Sequence, residues 1–174
     1  MRGDEALPPL TGPLSAVNTA LHRATILVAC TSLAGLLVVV VYGVVMRYAF
    51  NHAPPYVEQV ALLLIVSVAM FGASAGVREA GHIGLDSLVR RLPPRARSAC
   101  VVVVHAFVIA FALSLLAGGF EMAMSTARSR IPTLGIPEAV RYLPVMAAGL
   151  LMALFSVEQL VALREGKEVT APWR

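Results

Sequence analysis

The chain has 174 residues, of which 58% are hydrophobic and only 14% are charged, and its mean hydropathy is +0.79. A soluble domain carries about a quarter charged residues, so this composition excludes an ordinary soluble domain and indicates a protein of the bilayer. The net charge of +4 comes from basic residues that lie between apolar runs, as they do in membrane proteins. We therefore expect no nucleic-acid partner.

Four apolar stretches without Asp, Glu, Lys or Arg follow one another along the chain. At about 1.5 Å of rise per residue, the first three are long enough to cross a hydrocarbon layer of about 30 Å. The fourth reaches that length when Arg141 and Glu158 lie at or near the interfaces. We predict an all-α integral membrane protein with a domain at 15–163, whose transmembrane helices lie at about 24–46, 59–77, 98–120 and 140–161.

The segments outside these spans are more polar. Residues 1–14 and 164–174 have the composition of disordered tails. Ser15–Arg23 has the pattern of a short amphipathic segment at a membrane surface. Apolar residues at helical spacing over 83–92 predict a short interfacial helix in contact with membrane lipids, and prolines and a glycine predict a turn at Ile131–Glu138.

Lys and Arg residues are distributed unevenly between the two sides of the predicted bundle. Ten of the fourteen lie in the N-terminal segment, the second loop and the C-terminal tail. Because positively charged loops stay in the cytoplasm, this distribution places both termini and the Arg-rich second loop on the cytoplasmic side.

The turn after the first span carries several polar residues. Arg47 and Asn51 precede Pro54–Pro55, and Tyr56 and Glu58 follow. Prolines end one helix and allow the next to begin, and tyrosines suit the headgroup layer. A plain hairpin explains all these residues, and contact of Arg47 and Glu58 with a partner chain is the alternative.

The second span ends in a G-x-x-x-G spacing formed by Gly72 and Gly76. Two glycines one turn apart let helix backbones approach closely in lipid, where apolar burial gives helices no reason to associate. The spacing predicts a packing face. It serves either another helix of this chain or another subunit.

Few side chains inside the spans are suited to chemistry. Cys30 and Cys100 lack the spacing of metal ligands, which indicates buried packing. His105 is compatible with a haem ligand, a proton relay or a packing residue, but the other histidines lie outside the spans, so packing or an interhelical hydrogen bond is favoured. No phosphate-binding loop, zinc motif or Ser/His/Asp arrangement is present. We expect a subunit without cofactor, metal or enzymatic activity.

Several short motifs occur in a fixed order along the chain. They are Arg-Tyr-x-Phe-Asn at Arg47–Asn51, the acidic Glu58, a span that ends in Gly-Ala, His-Ile-x-x-Asp at His82–Asp86, a double-proline break and Leu-Gly-Ile-Pro at Leu134–Pro137. In this order, and with four spans, the chain resembles the DctQ-like small membrane subunit of tripartite ATP-independent periplasmic (TRAP) transporters. The resemblance covers about Leu14 to Leu163.

The resemblance implies two protein partners in the bacterial inner membrane system. A large TRAP membrane subunit holds the substrate and sodium sites, and a periplasmic solute-binding protein delivers an organic acid such as a C4-dicarboxylate. The small subunit braces the large one and contributes to symport without transporting by itself.

The resemblance also implies positions for the candidate contact residues. Arg47, Asn51 and Glu58 are expected at the periplasmic face, where the binding protein docks. The cytoplasmic rim is expected to hold Arg78, His82 and Asp86. The chain departs from the common pattern at two positions, with Tyr56 in place of a frequent Trp and Gln59 in place of a second acid.

Two other hypotheses come from different functional classes. The first is a small haem or electron-transfer membrane protein that uses His105. The second is a self-associating membrane protein without transport.

Overall fold

The computed structural model describes residues 13–79 and 94–165. In this part of the chain, the elements are α1 (Pro13–Ala49), α2 (Tyr56–Glu79), α3 (Pro94–Thr126), a 3-10 helix (Glu138–Tyr142) and α4 (Leu143–Glu165). All four α-helices are long and apolar enough to cross a membrane, the last together with the 3-10 helix. The predicted all-α membrane fold with four transmembrane helices is therefore confirmed.

Part of the sequence prediction lies outside the described residues. This is the case for the interfacial helix at 83–92, for His82 and Asp86, and for most of both predicted tails. Each predicted span lies within a longer helical segment, and the fourth begins in the 3-10 helix.

The helices pack in the order α1, α2, α4, α3. Helix α1 packs along α2, α2 packs along α4, and α4 packs along α3, while α1 also reaches α4. Close contacts fix an antiparallel α1–α2 pair, since a β-carbon at Gly43 would lie 2.7 Å from Cγ1 of Val57, and one at Gly35 would lie 3.6 Å from Leu64. Helix α4 thus occupies a central position, with α3 on one side and α1 and α2 on the other.

Helix α1 is longer than the sequence predicts. The segment Ser15–Arg23, predicted as a separate surface segment, is continuous with the first span, and the whole helix has 37 residues. At about 1.5 Å per residue it exceeds the thickness of the hydrocarbon layer. The N-terminal turns are ordered because Asn18 and His22 are buried against the other helices.

The two cysteines differ from their predicted setting. Cys30 on α1 and Cys100 on α3 are both exposed on the outer surface of their helices. The expectation of buried packing was wrong, because a cysteine in a membrane span is as compatible with the lipid-facing side of a helix as with the side that packs on its neighbours.

Helices α3 and α4 form the tightest seam of the bundle. The most buried positions of α3 recur every seven residues, at His105, Ala112 and Gly119, which is the spacing of long antiparallel helix pairs. Opposite them, a β-carbon at Gly149 would lie 2.8 Å from the carbonyl oxygen of Ala112 and 3.2 Å from the backbone nitrogen of Leu116. The backbones therefore meet at Gly149.

The connection between α3 and the 3-10 helix is a compact turn, as the prolines and glycine of Ile131–Glu138 predict. Gly135 has a φ of 67° and donates its amide to the carbonyl of Ile131 at 2.8 Å. The amide of Glu138 then donates to the carbonyl of Ser129 at 2.9 Å. A residue with a β-carbon is strained at this φ, which accounts for the glycine.

We expect Gly149→Ala to destabilise the protein by about 1–3 kcal/mol, because the added methyl group meets backbone atoms that cannot move aside. Gly118→Ala is the matched control, since nothing lies within 4 Å of a β-carbon at that position of α3. Both changes gain the same helix propensity, so the difference between their thermal unfolding midpoints in detergent measures the clash. Equal midpoints would show that the seam is looser than described.

Candidate functional site: two polar ends of the bundle

A buried ion pair joins α2 to α4 at the end of the bundle where α1 begins and α4 ends. Arg78 Nε donates to Glu158 Oε2 at 3.1 Å, and Arg78 Nη2 donates to Glu158 Oε1 at 3.3 Å. The two side chains are 3% and 1% exposed. The guanidinium therefore donates a hydrogen bond to each carboxylate oxygen. This bidentate geometry makes Arg–carboxylate pairs strong.

Helix α1 completes the coordination of this pair. Asn18 Nδ2 donates to Glu158 Oε2 at 3.1 Å, and Arg78 Nη2 donates to the hydroxyl of Thr19 at 2.9 Å. Thr19 in turn donates to the carbonyl of Ser15 at 2.7 Å. Three helices thus share one polar cluster, which we call the ionic cluster and define as Asn18, Thr19, Arg78 and Glu158.

Aromatic and amide groups surround the ionic cluster. The ring of Phe155 lies 5.8 Å from Cζ of Arg78 and packs edge-on against the ring of His22, with 5.9 Å between centroids. His22 Nε2 lies 3.4 Å from Glu79 Oε1. Gln159 Nε2 donates to the carbonyl of Arg78 at 3.0 Å, which satisfies a carbonyl of the last turn of α2.

The ionic cluster neutralises charge where water is scarce. A single charge in an apolar interior is expensive, whereas a hydrogen-bonded pair with additional partners is tolerated. Arg78 also lies in the last turn of α2, where the negative end of the helix dipole favours a cation. The cluster therefore stabilises the relative positions of α1, α2 and α4, and its charges are engaged with one another.

The sequence prediction placed Arg78 at a rim as a candidate partner contact and placed Glu158 near an interface. The structure buries both in the chain's own interior, so the guanidinium of Arg78 bonds within this chain. Sequence reasoning missed Asn18, His22 and Glu158 as members of a polar centre. A detectable signal was the spacing of Asn18, His22 and Thr25, which puts three polar residues on one face of α1, and all three are buried.

The opposite end of the bundle is open to the surroundings. Arg47 at the end of α1 lies 3.7 Å from Glu58 at the start of α2, and their side chains are 60% and 75% exposed. The hydroxyls of Tyr42 and Tyr56 are 2.9 Å apart and also exposed. This end, which we call the turn face, presents charges and phenols at its surface, whereas the ionic cluster is buried.

Asn51 has a structural role in the turn. Its φ is 51°, in the left-handed region, and the amide of the next residue, His52, donates to the carbonyl of Met46 at 3.0 Å. Asparagine is one of the few residues that adopts this conformation readily, and it commonly ends helices. Asn51 thus terminates α1 and sets the direction of the turn.

Gln59 ties the turn face to the other half of the bundle. Its side-chain oxygen accepts a hydrogen bond from Arg141 Nη2 of the 3-10 helix. Arg141 also lies 3.6 Å from Glu138. The side-chain amide of Gln59 therefore has a partner within this chain.

The two glycines of α2 face away from the other described helices. Nothing lies within 4 Å of a β-carbon built at Gly72 or Gly76, in contrast to Gly43, Gly119 and Gly149. The spacing that predicted a packing face is therefore not used between the described helices of this chain.

His105 lies in the α3–α4 seam and is 7% exposed. The helix backbones meet two turns away at Gly149. Among residues 13–79 and 94–165, no group of three or more His, Cys, Asp or Glu is placed to hold a metal ion. The site as described suits contact and packing.

Comparison with known proteins gives a consistent result. Residues 36–166 match the family described as tripartite ATP-independent periplasmic transporters, DctQ component. A putative TRAP transporter small permease protein of Haemophilus influenzae is 23% identical over 134 residues, which are 76% of this chain and 83% of that protein.

Two relatives from Vibrio cholerae carry substrate names. The C4-dicarboxylate TRAP transporter small permease protein DctQ is 33% identical over 79 residues, which are 45% of this chain and 34% of that protein. The sialic acid TRAP transporter small permease protein SiaQ is 22% identical over 128 residues, which are 74% of each chain.

We expect Glu158→Gln to destabilise the protein by about 3–5 kcal/mol, because it leaves the buried guanidinium of Arg78 without its counter-charge. The double variant Glu158→Gln with Arg78→Met should recover much of that loss, since no unpaired charge remains. Thermal unfolding in detergent or lipid measures both.

Glu58→Gln at the exposed pair is the matched control, and its effect should be below about 1 kcal/mol. If Glu158→Gln and Glu58→Gln lowered the stability equally, the ionic cluster would be hydrated and would not hold the helices together as a buried ion pair.

Proposed function

Because this chain belongs to the DctQ family of TRAP transporter components, we propose that it is the scaffold subunit of a secondary transporter that imports an organic acid. It is a TRAP small permease subunit and a multi-pass membrane protein of the inner membrane. Beyond this, the proposal is that it braces the large membrane subunit and helps the periplasmic binding protein to dock.

The observation that carries this proposal is the pairing of charges within the described spans. A pathway for charged solutes is usually marked by ionisable residues that line a cavity between helices. Here Arg78 and Glu158 are bonded to each other and to α1, and the α3–α4 seam is closed by backbone contact at Gly149. This arrangement supports a bracing role, with the solute pathway in the partner subunit as part of the proposal.

We infer that the substrate is a carboxylate. One similar protein is named for C4-dicarboxylates and another for sialic acid, and both of these solutes carry a carboxylate group. The resemblance to TRAP subunits further implies coupling to a sodium gradient. Uptake that persists unchanged when Na⁺ is replaced by K⁺ would contradict this part of the proposal.

The proposed face for the large subunit is the exposed side of α2. A stripe at helical spacing leads from the turn face towards the glycines, and its exposed members are Glu58, Leu62, Ile65, Ala69 and Gly72. In lipid, close approach of backbones over small residues is a main source of helix association. The open position of Gly72 and Gly76 therefore supports contact with a helix of another chain.

The proposed site for the binding protein is the turn face. By the distribution of Lys and Arg, both termini lie in the cytoplasm, and the turn between α1 and α2 then lies in the periplasm. Arg47 and Glu58 are exposed there, as is Tyr48. Exposed charges at a protein interface mainly steer association and contribute to partner choice.

We expect Gly72→Leu and Gly76→Leu to reduce the amount of large subunit that co-purifies with this chain, and to reduce uptake in the same proportion, because the added side chains hold the partner helix away. Gly118→Leu is the control, since that glycine of α3 also has open space around it.

An unchanged yield of the complex for both α2 variants would remove this face from the proposal.

The function itself is tested in proteoliposomes: the small subunit alone should give no uptake, and the complex with the large subunit should require the binding protein. Two results would overturn the scaffold function. One is transport by the small subunit alone. The other is a stable homo-oligomer of this chain, combined with solute uptake that stays unchanged when the chain is deleted.

We expect Arg47→Glu to weaken uptake at limiting binding-protein concentration by roughly two- to tenfold, because a charge at an interface rim mainly alters the association rate. The swap Arg47→Glu with Glu58→Arg restores an ion pair within this chain but reverses the charges that a partner meets. Uptake should therefore stay low in the swap, while the yield of the two-subunit complex stays normal. Full recovery in the swap would show that the pair acts only within this chain.

A further inference from the structure

Two buried side chains at the α3–α4 seam have polar atoms that the ionic cluster does not use. His105 of α3 is 7% exposed and Ser156 of α4 is fully buried. Among the described residues, the two ring nitrogens of His105 have no hydrogen-bond partner. The hydroxyl of Ser156 has none either.

Ser156 differs from other serines in these helices. Ser67 donates to the carbonyl of Leu63 at 2.8 Å and Ser114 donates to the carbonyl of Ala110 at 3.0 Å. This bond to the preceding turn is the usual way for a helical serine to satisfy its hydroxyl. Because the hydroxyl of Ser156 makes no such bond, it remains available for a group across the seam.

The register of the seam brings Ser156 to within about one helical turn of His105. Gly149 of α4 meets the backbone of α3 between the carbonyl of Ala112 and the amide of Leu116, and the two helices run antiparallel. Seven residues along α4 lead from Gly149 to Ser156, and seven residues back along α3 lead from Ala112 to His105. Since seven residues make two turns, each step returns to the same face of its helix.

The position of Glu158 on α4 supports this assignment. Glu158 points to α1 and α2, where it bonds to Asn18 and Arg78. At about 100° per residue, Glu158 lies on the side of α4 opposite to Gly149, whereas Ser156 lies on the Gly149 side. Ser156 therefore faces α3 and cannot join the ionic cluster.

We propose that this layer of the seam is a binding site for one water molecule, held between the imidazole of His105 and the hydroxyl of Ser156. A neutral imidazole offers one donor and one acceptor, and a hydroxyl offers a donor and two acceptors. Water can complement both groups at once, and buried waters typically hold such otherwise unsatisfied groups. The bridge fixes the register of α3 against α4, as a polar layer does in an otherwise apolar helix pair.

The test is solid-state NMR of the full chain in lipid bilayers with ¹⁵N-labelled histidine. The signals of His105 are those that disappear in His105→Gln. In the unmodified chain, magnetisation from water should transfer to a ring nitrogen of His105. In Ser156→Val, whose methyl groups fill the site, this transfer should fall to background and the ring shifts should move. Ser114→Ala, at an exposed serine bonded to its own helix, should leave both unchanged.

Three outcomes would overturn the proposal. The first is no transfer from water to His105 in the unmodified chain. A second is transfer that persists unchanged in both Ser156→Val and Ser156→Ala, which would place the water elsewhere. The third is a direct bond from the ring to the Ser156 hydroxyl or to another side chain, seen as transfer from that proton. Because the measurement on the unmodified chain needs no variant, poor folding of Ser156→Val does not prevent a decision.

Discussion

The bidentate pair between Arg78 and Glu158 sets the arrangement of this subunit. A hydrocarbon environment offers no water to a charged group, so a guanidinium near the end of one span needs a carboxylate from another. Because Asn18 and Thr19 bond to the same pair, α1, α2 and α4 meet at one place and with one relative rotation. Phe155 and Gln159, on either side of Glu158 in α4, fill and cap this meeting point.

The two ends of the bundle differ in what they leave accessible. At the ionic cluster, charged groups bond to one another inside the chain. At the turn face, Arg47 and Glu58 are close enough to interact yet remain largely exposed, and exposed pairs of this kind contribute little to folding. A protein whose inner charges are neutralised and whose outer charges are accessible is suited to assembly with other chains.

The fold was predictable from the sequence because its determinants are local. Long apolar runs identify the helices, and short motifs such as Arg-Tyr-x-Phe-Asn identify the family. Pairings between distant residues were not predictable, since 80 residues separate Arg78 from Glu158. The glycines show the same limit: the sequence singled out Gly72 and Gly76, but backbone contact occurs at Gly149, and only the opposing helix decides this.

Two of the predicted contact residues, Asn51 and Arg78, show how far a local sequence pattern can predict the structural setting of a residue. The turn at Asn51 was visible as a motif, but its left-handed backbone was not. Arg78 was visible as a basic residue after an apolar run, which is also the pattern of a residue in contact with headgroups. Its burial depends on a carboxylate in the last helix.

The separation of Arg78 from Glu158 also has a consequence for biogenesis. The chain is synthesised from its N-terminus, so α1 and α2 emerge and insert well before residue 158 exists. During this interval the guanidinium of Arg78 has no carboxylate from α4. The buried pair can form only once Glu158 has been synthesised. The final bundle is therefore completed by its last helix, and a ribosome that stops before α4 leaves a two- or three-helix intermediate with an unneutralised cation.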